Sequence, residues 1–125
     1  MIDIGDKPIL WHIMKMYSNQ GHKRFLLTLG YKGSVIQDWF EENIKEEDWN
    51  IEFIKTGINS EKGARLKRAE KYILSDNFHV TYGDGVSDIN INNLVEFHKS
   101  HLGQAQKQYG FYPTNYNILA PLLLP

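Results

Sequence analysis

Seven residues, Tyr82-Gly83-Asp84-Gly85-Val86-Ser87-Asp88, set one carboxylate between two glycines directly after the apolar run NFHVTYG. If that run is a strand, it delivers Asp84 to the strand's end, and Gly83 and Gly85 let the backbone approach a bound molecule closely. A carboxylate there can hold Mg²⁺ against a nucleotide phosphate, because magnesium takes hard oxygen ligands. A tight turn that uses aspartate for its turn propensity fits the same residues. Asp88, four residues on, suits either a cap for the following turn or an outer hydrogen-bond partner of the metal site.

A second group follows Thr56-Gly57. It reads Lys62-Gly63-Ala64-Arg65-Leu66-Lys67-Arg68. A glycine at a helix start, with Arg65 and Arg68 three residues apart on one face, makes an anion pocket from backbone N–H groups and cations. A solvated basic face on an amphipathic helix accounts for the pattern equally simply. Gly30-Tyr31-Lys32-Gly33 is a strand-to-helix turn without the spacing of a P-loop. His98 and His101 stand at i, i+3, but no HExxH motif and no third ligand accompany them.

The elements that would position these residues alternate. Leu10, Ile13, Met14 and Tyr17 follow the helical period behind Pro8, with Gly21 as a stop. Residues 24–30 predict a buried strand. Val35, Ile36, Trp39, Phe40 and Ile44 predict a second helix, and residues 49–57 a second strand. Leu66, Ala69 and Ile73 mark a third helix from about Glu61, and residues 77–83 a third strand. Leu94, Phe97, His98 and His101 mark a fourth helix, capped by Asn90 or Asn92. This order predicts an α/β fold with a mostly parallel sheet, whose ligands sit at the C-terminal ends of the strands. It also has the chain opening on a helix, without the strand that usually begins such a fold.

The chain has 125 residues, 42% hydrophobic and 23% charged, with a net charge of -1 and no cysteine. That balance fits a folded domain and excludes disulfides, thiolate metal sites and Cys nucleophiles. Neither nucleic acid nor a membrane is indicated as a partner, and the expected location is the cytoplasm. The organisation predicted is a main unit over 1–101 and an atypical tail over 102–125. The last 24 residues contain one charged side chain, Lys107, and three of the four prolines. A stretch holding Pro113, Pro121 and Pro125 is not expected to form a central strand.

The stretches IGDKPILWHIMKMYS, FLLTLGYKG, VIQDWF, KTGINSEKGARLKR, VTYGDGVSDINI and LVEFHKSH, in this order, resemble the glucose-1-phosphate cytidylyltransferases. These are a branch of the sugar-1-phosphate nucleotidyltransferases. The resemblance covers about residues 1–101 and implies a Rossmann-like α/β/α nucleotidyltransferase fold. It implies CTP and glucose 1-phosphate as substrates, CDP-glucose and pyrophosphate as products, and Mg²⁺ as cofactor. Asp84 matches the family's metal-binding aspartate. Gly63 and Arg65 match its second glycine-arginine loop, although Ala64 stands where the family often has glycine. The family's opening strand and glycine loop have no counterpart before Met1, and its later strands none after His101. The chain therefore reads as a middle section of the catalytic domain; the alternatives are a non-catalytic remnant or weak nucleotide-binding module, or a related sugar-1-phosphate nucleotidyltransferase with another base or sugar. A sheet edge left unpaired beside 24–30 or 77–82 is the expected consequence. A homo-oligomer is compatible with the sequence.

Overall fold

A computed structural model describes residues 2–59, 61–74, 78–100 and 117–120. The chain opens on a small antiparallel hairpin, β1 (Asp3–Ile4) and β2 (Lys7–Pro8), rather than on a helix. Gly5, at φ 67, supplies the left-handed residue that its Gly5-Asp6 loop needs. Helix α1 (Ile9–Ser18) follows at once, with Leu10, Ile13, Met14 and Tyr17 buried as the spacing requires. Then come β3 (Arg24–Leu29), α2 (Gly33–Asn43), β4 (Asn50–Lys55), α3 (Lys62–Ala69), a 3-10 turn over Glu70–Tyr72, β5 (His79–Tyr82) and α4 (Ile91–Ser100). A final strand, β6, runs Asn117–Ala120.

Among the described residues the main sheet has four strands in the order β4-β3-β6-β5, and every neighbouring pair is parallel. Side chains of β3 alternate between its faces. Phe25, Leu27 and Leu29 pack with α1 and α2 through Leu10, Ile13, Met14, Ile36 and Phe40, and with Ile91 of α4. Leu26 points the other way and packs with Ile54 of β4 and with Leu66 and Ala69 of α3. Helices therefore cover both faces, which is the layered α/β arrangement expected. Phe25, Leu26 and Leu27 are fully buried, and each contributes about 1.5–3 kcal/mol by leaving water.

The sheet departs from expectation at its centre. β6 is inserted between β3 and β5, so β3 is paired on both sides, whereas β5 is an outer strand whose other edge is unpaired among the described residues, as the sequence leads one to expect for 24–30 or 77–82. Asn117 pairs with both Phe25 and His79, and Leu119 with both Leu27 and Thr81. A strand thus forms inside the proline-containing stretch, as an internal strand. The prolines do not prevent it, because the four paired residues contain none and Pro121 comes only after the last of them. The remainder of 101–125 lies outside the described residues, as does His101.

Two apolar residues expected on helical stripes are exposed. Val35 is 53% and Phe97 60% accessible. On α2 the buried positions are Gly33, Ile36 and Phe40, and Val35 is turned about 100° from Ile36. On α4 the inward positions are Ile91 and His98, one spacing of seven apart. Among the described residues no helix is long and apolar enough to cross a membrane.

Candidate functional site

Topology selects the site. The crossover from β3 through α2 to β4 moves outward on one face. The crossover from β4 through α3 to β5 returns past β3 on the other face. The direction of winding therefore reverses between β3 and β5. In parallel α/β sheets the crevice outside the strand C-termini at such a reversal is where ligands bind. With one strand between them, β3 and β5 stand about 10 Å apart there.

On one side of this crevice, β3 ends in Gly30-Tyr31-Lys32-Gly33. Lys32 takes the left-handed conformation at φ 53, and the Gly33 N–H donates to the Gly30 carbonyl over 3.0 Å. This turn starts α2 directly above the sheet. A Cβ on Gly33 would lie 2.7 Å from Cβ of Leu29, so any side chain there forces the start of the helix or the strand to shift. The exposed Tyr31 and Lys32 side chains stack as a cation–π pair, 5.5 Å from amine to ring centroid.

Beside it, β4 runs into Thr56 and into Gly57, whose φ is 89. Thr56 is 1% exposed. Arg65 and Arg68 share a face of α3, and both reach this residue. Arg65 Nη1 donates to Thr56 Oγ1 over 2.7 Å, Arg65 Nη2 donates to the Ile58 carbonyl over 3.3 Å, and Arg68 Nη1 donates to the Thr56 carbonyl. Lys67 instead pairs in solvent with Glu70 at 2.5 Å. The basic segment is therefore divided. Two arginines turn toward the strand ends, and Lys67 belongs to the solvated face. Gly63 lies in the first turn of α3, exposed, with open space where a Cβ would stand.

On the far side of the reversal, β5 ends at Tyr82, followed by Gly83, Asp84 and Gly85. Gly83 is buried, while Asp84 and Gly85 are exposed, and nothing lies within 4 Å of a Cβ built on Gly85. Among the described residues Asp84 makes no hydrogen bond and no ion pair. A turn aspartate would accept from the N–H of Val86 or Ser87. Asp88 is exposed as well, and the cap of α4 is Asn90, whose Oδ1 accepts the Asn93 N–H at 2.9 Å. Gln20 then fastens α4 to the turn after α1. Its Oε1 accepts the Ile91 N–H at 2.6 Å, and its Nε2 donates to the Ile89 carbonyl at 3.2 Å. Neither Gln20 nor Thr56 stands out in the sequence, because their roles depend on partners 71 and 27 residues away.

Among the described residues no cluster of three or more His, Cys, Asp or Glu side chains is placed to hold a metal. Asp84 offers one carboxylate. That suits a magnesium ion shared with substrate phosphates, which usually draws only one or two carboxylates from the protein and fills its remaining positions with phosphate oxygens and water.

No family model matches the chain. Among curated proteins, the glucose-1-phosphate cytidylyltransferase of Salmonella typhimurium is 41% identical over 140 aligned positions, covering 95% of this chain and 54% of the relative. The probable glucose-1-phosphate cytidylyltransferase of Bacillus subtilis is 37% identical over 116 positions, covering 78% of this chain and 46% of the relative. The mannose-1-phosphate guanyltransferase of Saccharomyces cerevisiae is 26% identical over 106 positions, covering 83% and 29%. The chain spans about half the length of the curated cytidylyltransferases it matches.

The chain carries a parallel, doubly wound sheet with this crevice, and the curated relatives it matches are nucleotidyltransferases. Its sequence is similar to that of the glucose-1-phosphate cytidylyltransferases and, more distantly, to that of the mannose-1-phosphate guanyltransferases.

Proposed function

We propose that the chain is part of an enzyme that joins CTP and glucose 1-phosphate into CDP-glucose and pyrophosphate. The nucleotide lies across the crevice between the loop after β5 and the N-terminal end of α3. An oxygen of the sugar phosphate attacks the α-phosphorus of CTP, the bond from that phosphorus to the β-phosphate oxygen breaks, and pyrophosphate leaves with the electron pair. The attacking oxygen is already an anion, so no general base is needed. The protein's work is alignment and charge neutralisation.

Asp84 would hold Mg²⁺ beside the nucleotide phosphates, and the ion would supply charge neutralisation there. Arg65 neutralises phosphate charge from the β3–β4 side. Gly83 and Gly85 keep the β5 loop free of side chains, and Gly63 does the same for the first turn of α3. The observation that supports this reading best is the exposed carboxylate of Asp84, without a protein partner among the described residues, at the end of a parallel strand bordering the point of reversal.

The test is pyrophosphate release from CTP and glucose 1-phosphate in the presence of Mg²⁺. Release that needs both substrates supports the reading. Tight CTP binding without release supports a nucleotide-binding remnant instead.

A further inference from the structure

We infer that Thr56 is a positioning residue, holding the Arg65 guanidinium across the ends of β3 and β4, and that residue 30 is glycine to make room for that group. The inference builds on Arg65 as a nucleotide contact. It concerns how the arginine is kept in place before any nucleotide arrives.

Thr56 joins three elements with three different atoms. Its N–H donates to the Leu29 carbonyl at 3.0 Å, which continues the β3–β4 pairing by one step. Its hydroxyl donates its single proton to the same carbonyl at 3.1 Å. The hydroxyl oxygen therefore presents only lone pairs to α3, and there it accepts from Arg65 Nη1 at 2.7 Å. Its carbonyl accepts from Arg68. With Thr56 1% exposed, the bond to Arg65 starts from a fixed, buried anchor.

Gly30 completes the seat. Its φ is not in the left-handed region, so the backbone there tolerates any residue. A Cβ at this position would stand 2.5 Å from Arg65 Nη2, 2.7 Å from Nη1 and 3.0 Å from Cζ. The guanidinium occupies the volume that a side chain at residue 30 would fill. Long arginine side chains lose much rotamer freedom when they bind, and fixing the group beforehand removes that loss from nucleotide binding.

Three variants isolate the effect. Thr56→Val keeps the shape, the β-branching and the backbone bond to Leu29, and removes the hydroxyl, with its bond to the Leu29 carbonyl and its lone pairs for Arg65. Thr56→Ser keeps the hydroxyl. Gly30→Ala pushes the guanidinium away from the other side without touching Thr56. Two readouts on the full chain are needed, the Arg65 guanidinium ¹⁵N–¹H signals without nucleotide and the affinity for Mg²⁺·CTP.

The expected result is a slowly exchanging Arg65 guanidinium in the wild type and in Thr56→Ser, lost in Thr56→Val and in Gly30→Ala. CTP binding should weaken about tenfold in Thr56→Val and Gly30→Ala, the scale of one charge-assisted hydrogen bond. It should stay within about twofold in Thr56→Ser, and Thr56→Val should add nothing to Arg65→Ala. Unchanged Arg65 signals in both Thr56→Val and Gly30→Ala would overturn the inference. So would a Thr56→Val effect of the same size with and without Arg65. If the signals change as expected but Arg65→Ala binds CTP like the wild type, the seat stands and the nucleotide role of Arg65 fails.

Discussion

The imidazole of His79, on β5, lies 5.0 Å ring to ring from that of His22, in the turn after α1, and 5.5 Å from the ring of Tyr17. His79 is 4% exposed, and its Nε2 and that of the buried His98 have no partner among the described residues. Burial, with His22 and His98 nearby, holds the His79 pKa down to about 4 from 6.5. Burial also raises the Tyr17 hydroxyl, against a hydrogen bond from Thr81. The cluster sits where α1, α4 and β5 meet.

The fold therefore prefers neutral His79, whereas the unfolded chain protonates it near pH 6.5. Stability is complete above about pH 6.5 and falls as the pH drops toward 4. The unfolding constant should rise about thirtyfold between pH 8 and pH 5, about 2 kcal/mol. Urea titrations at both pH values check this. In His79→Leu most of the slope should vanish. A slope that survives the substitution would assign it to other groups.

Gly33 gives a steric prediction. Its absent Cβ would fall 2.7 Å from Cβ of Leu29, an atom held by a central strand rather than the end of a flexible side chain. Gly33→Ala should cost about 1–3 kcal/mol, as overpacking does. The melting temperature should drop by roughly 5–15 °C. Gly63→Ala, where the same atom meets open space, should leave the melting temperature nearly unchanged.

Much of this architecture is legible because local pattern and tertiary position agree. The Leu10, Ile13, Met14 and Tyr17 stripe is the buried face of α1, and RFLLTL is buried from Phe25 on because helices cover both faces of β3. Phe97 misleads because aromatic residues read as inward, while the inward residue of that turn is His98. The hairpin over residues 3–8 is too short for periodicity to reveal. For β6, composition pointed away from a strand, and only the long-range pairing with Phe25–Leu27 and His79–Tyr82 defines it. Asp84 is legible as a residue flanked by glycines at a strand end. That it stands across the reversal from Arg65 depends on sheet order, which no local signal carries.

The internal position of β6 has a stability consequence. Without it, β3 and β5 would face each other across an unfilled gap, each with an unpaired row of backbone groups. A variant lacking residues 117–125 should melt at least about 10 °C lower, or expose enough apolar surface to aggregate. An unchanged melt would show that β3 and β5 do not depend on this strand.

Asp84→Asn keeps the side chain's shape and removes its charge. No ion pair among the described residues breaks, so the melting temperature should stay within about 2 °C. Cytidylyl transfer should fall at least ~100-fold, on the scale of one preorganised electrostatic group. Unfolding of the variant, or turnover close to the wild type, would favour a purely structural turn.

The most direct test of the crevice is to titrate the ¹⁵N-labelled full chain with Mn²⁺·CTP and follow paramagnetic broadening. Mn²⁺ accepts the same oxygen donors as Mg²⁺. The amides of Gly83, Asp84 and Gly85 should broaden first, the end of β3 near Gly30 more weakly, and both effects should disappear in Asp84→Asn. Broadening centred elsewhere, or unchanged in Asp84→Asn, would contradict the account.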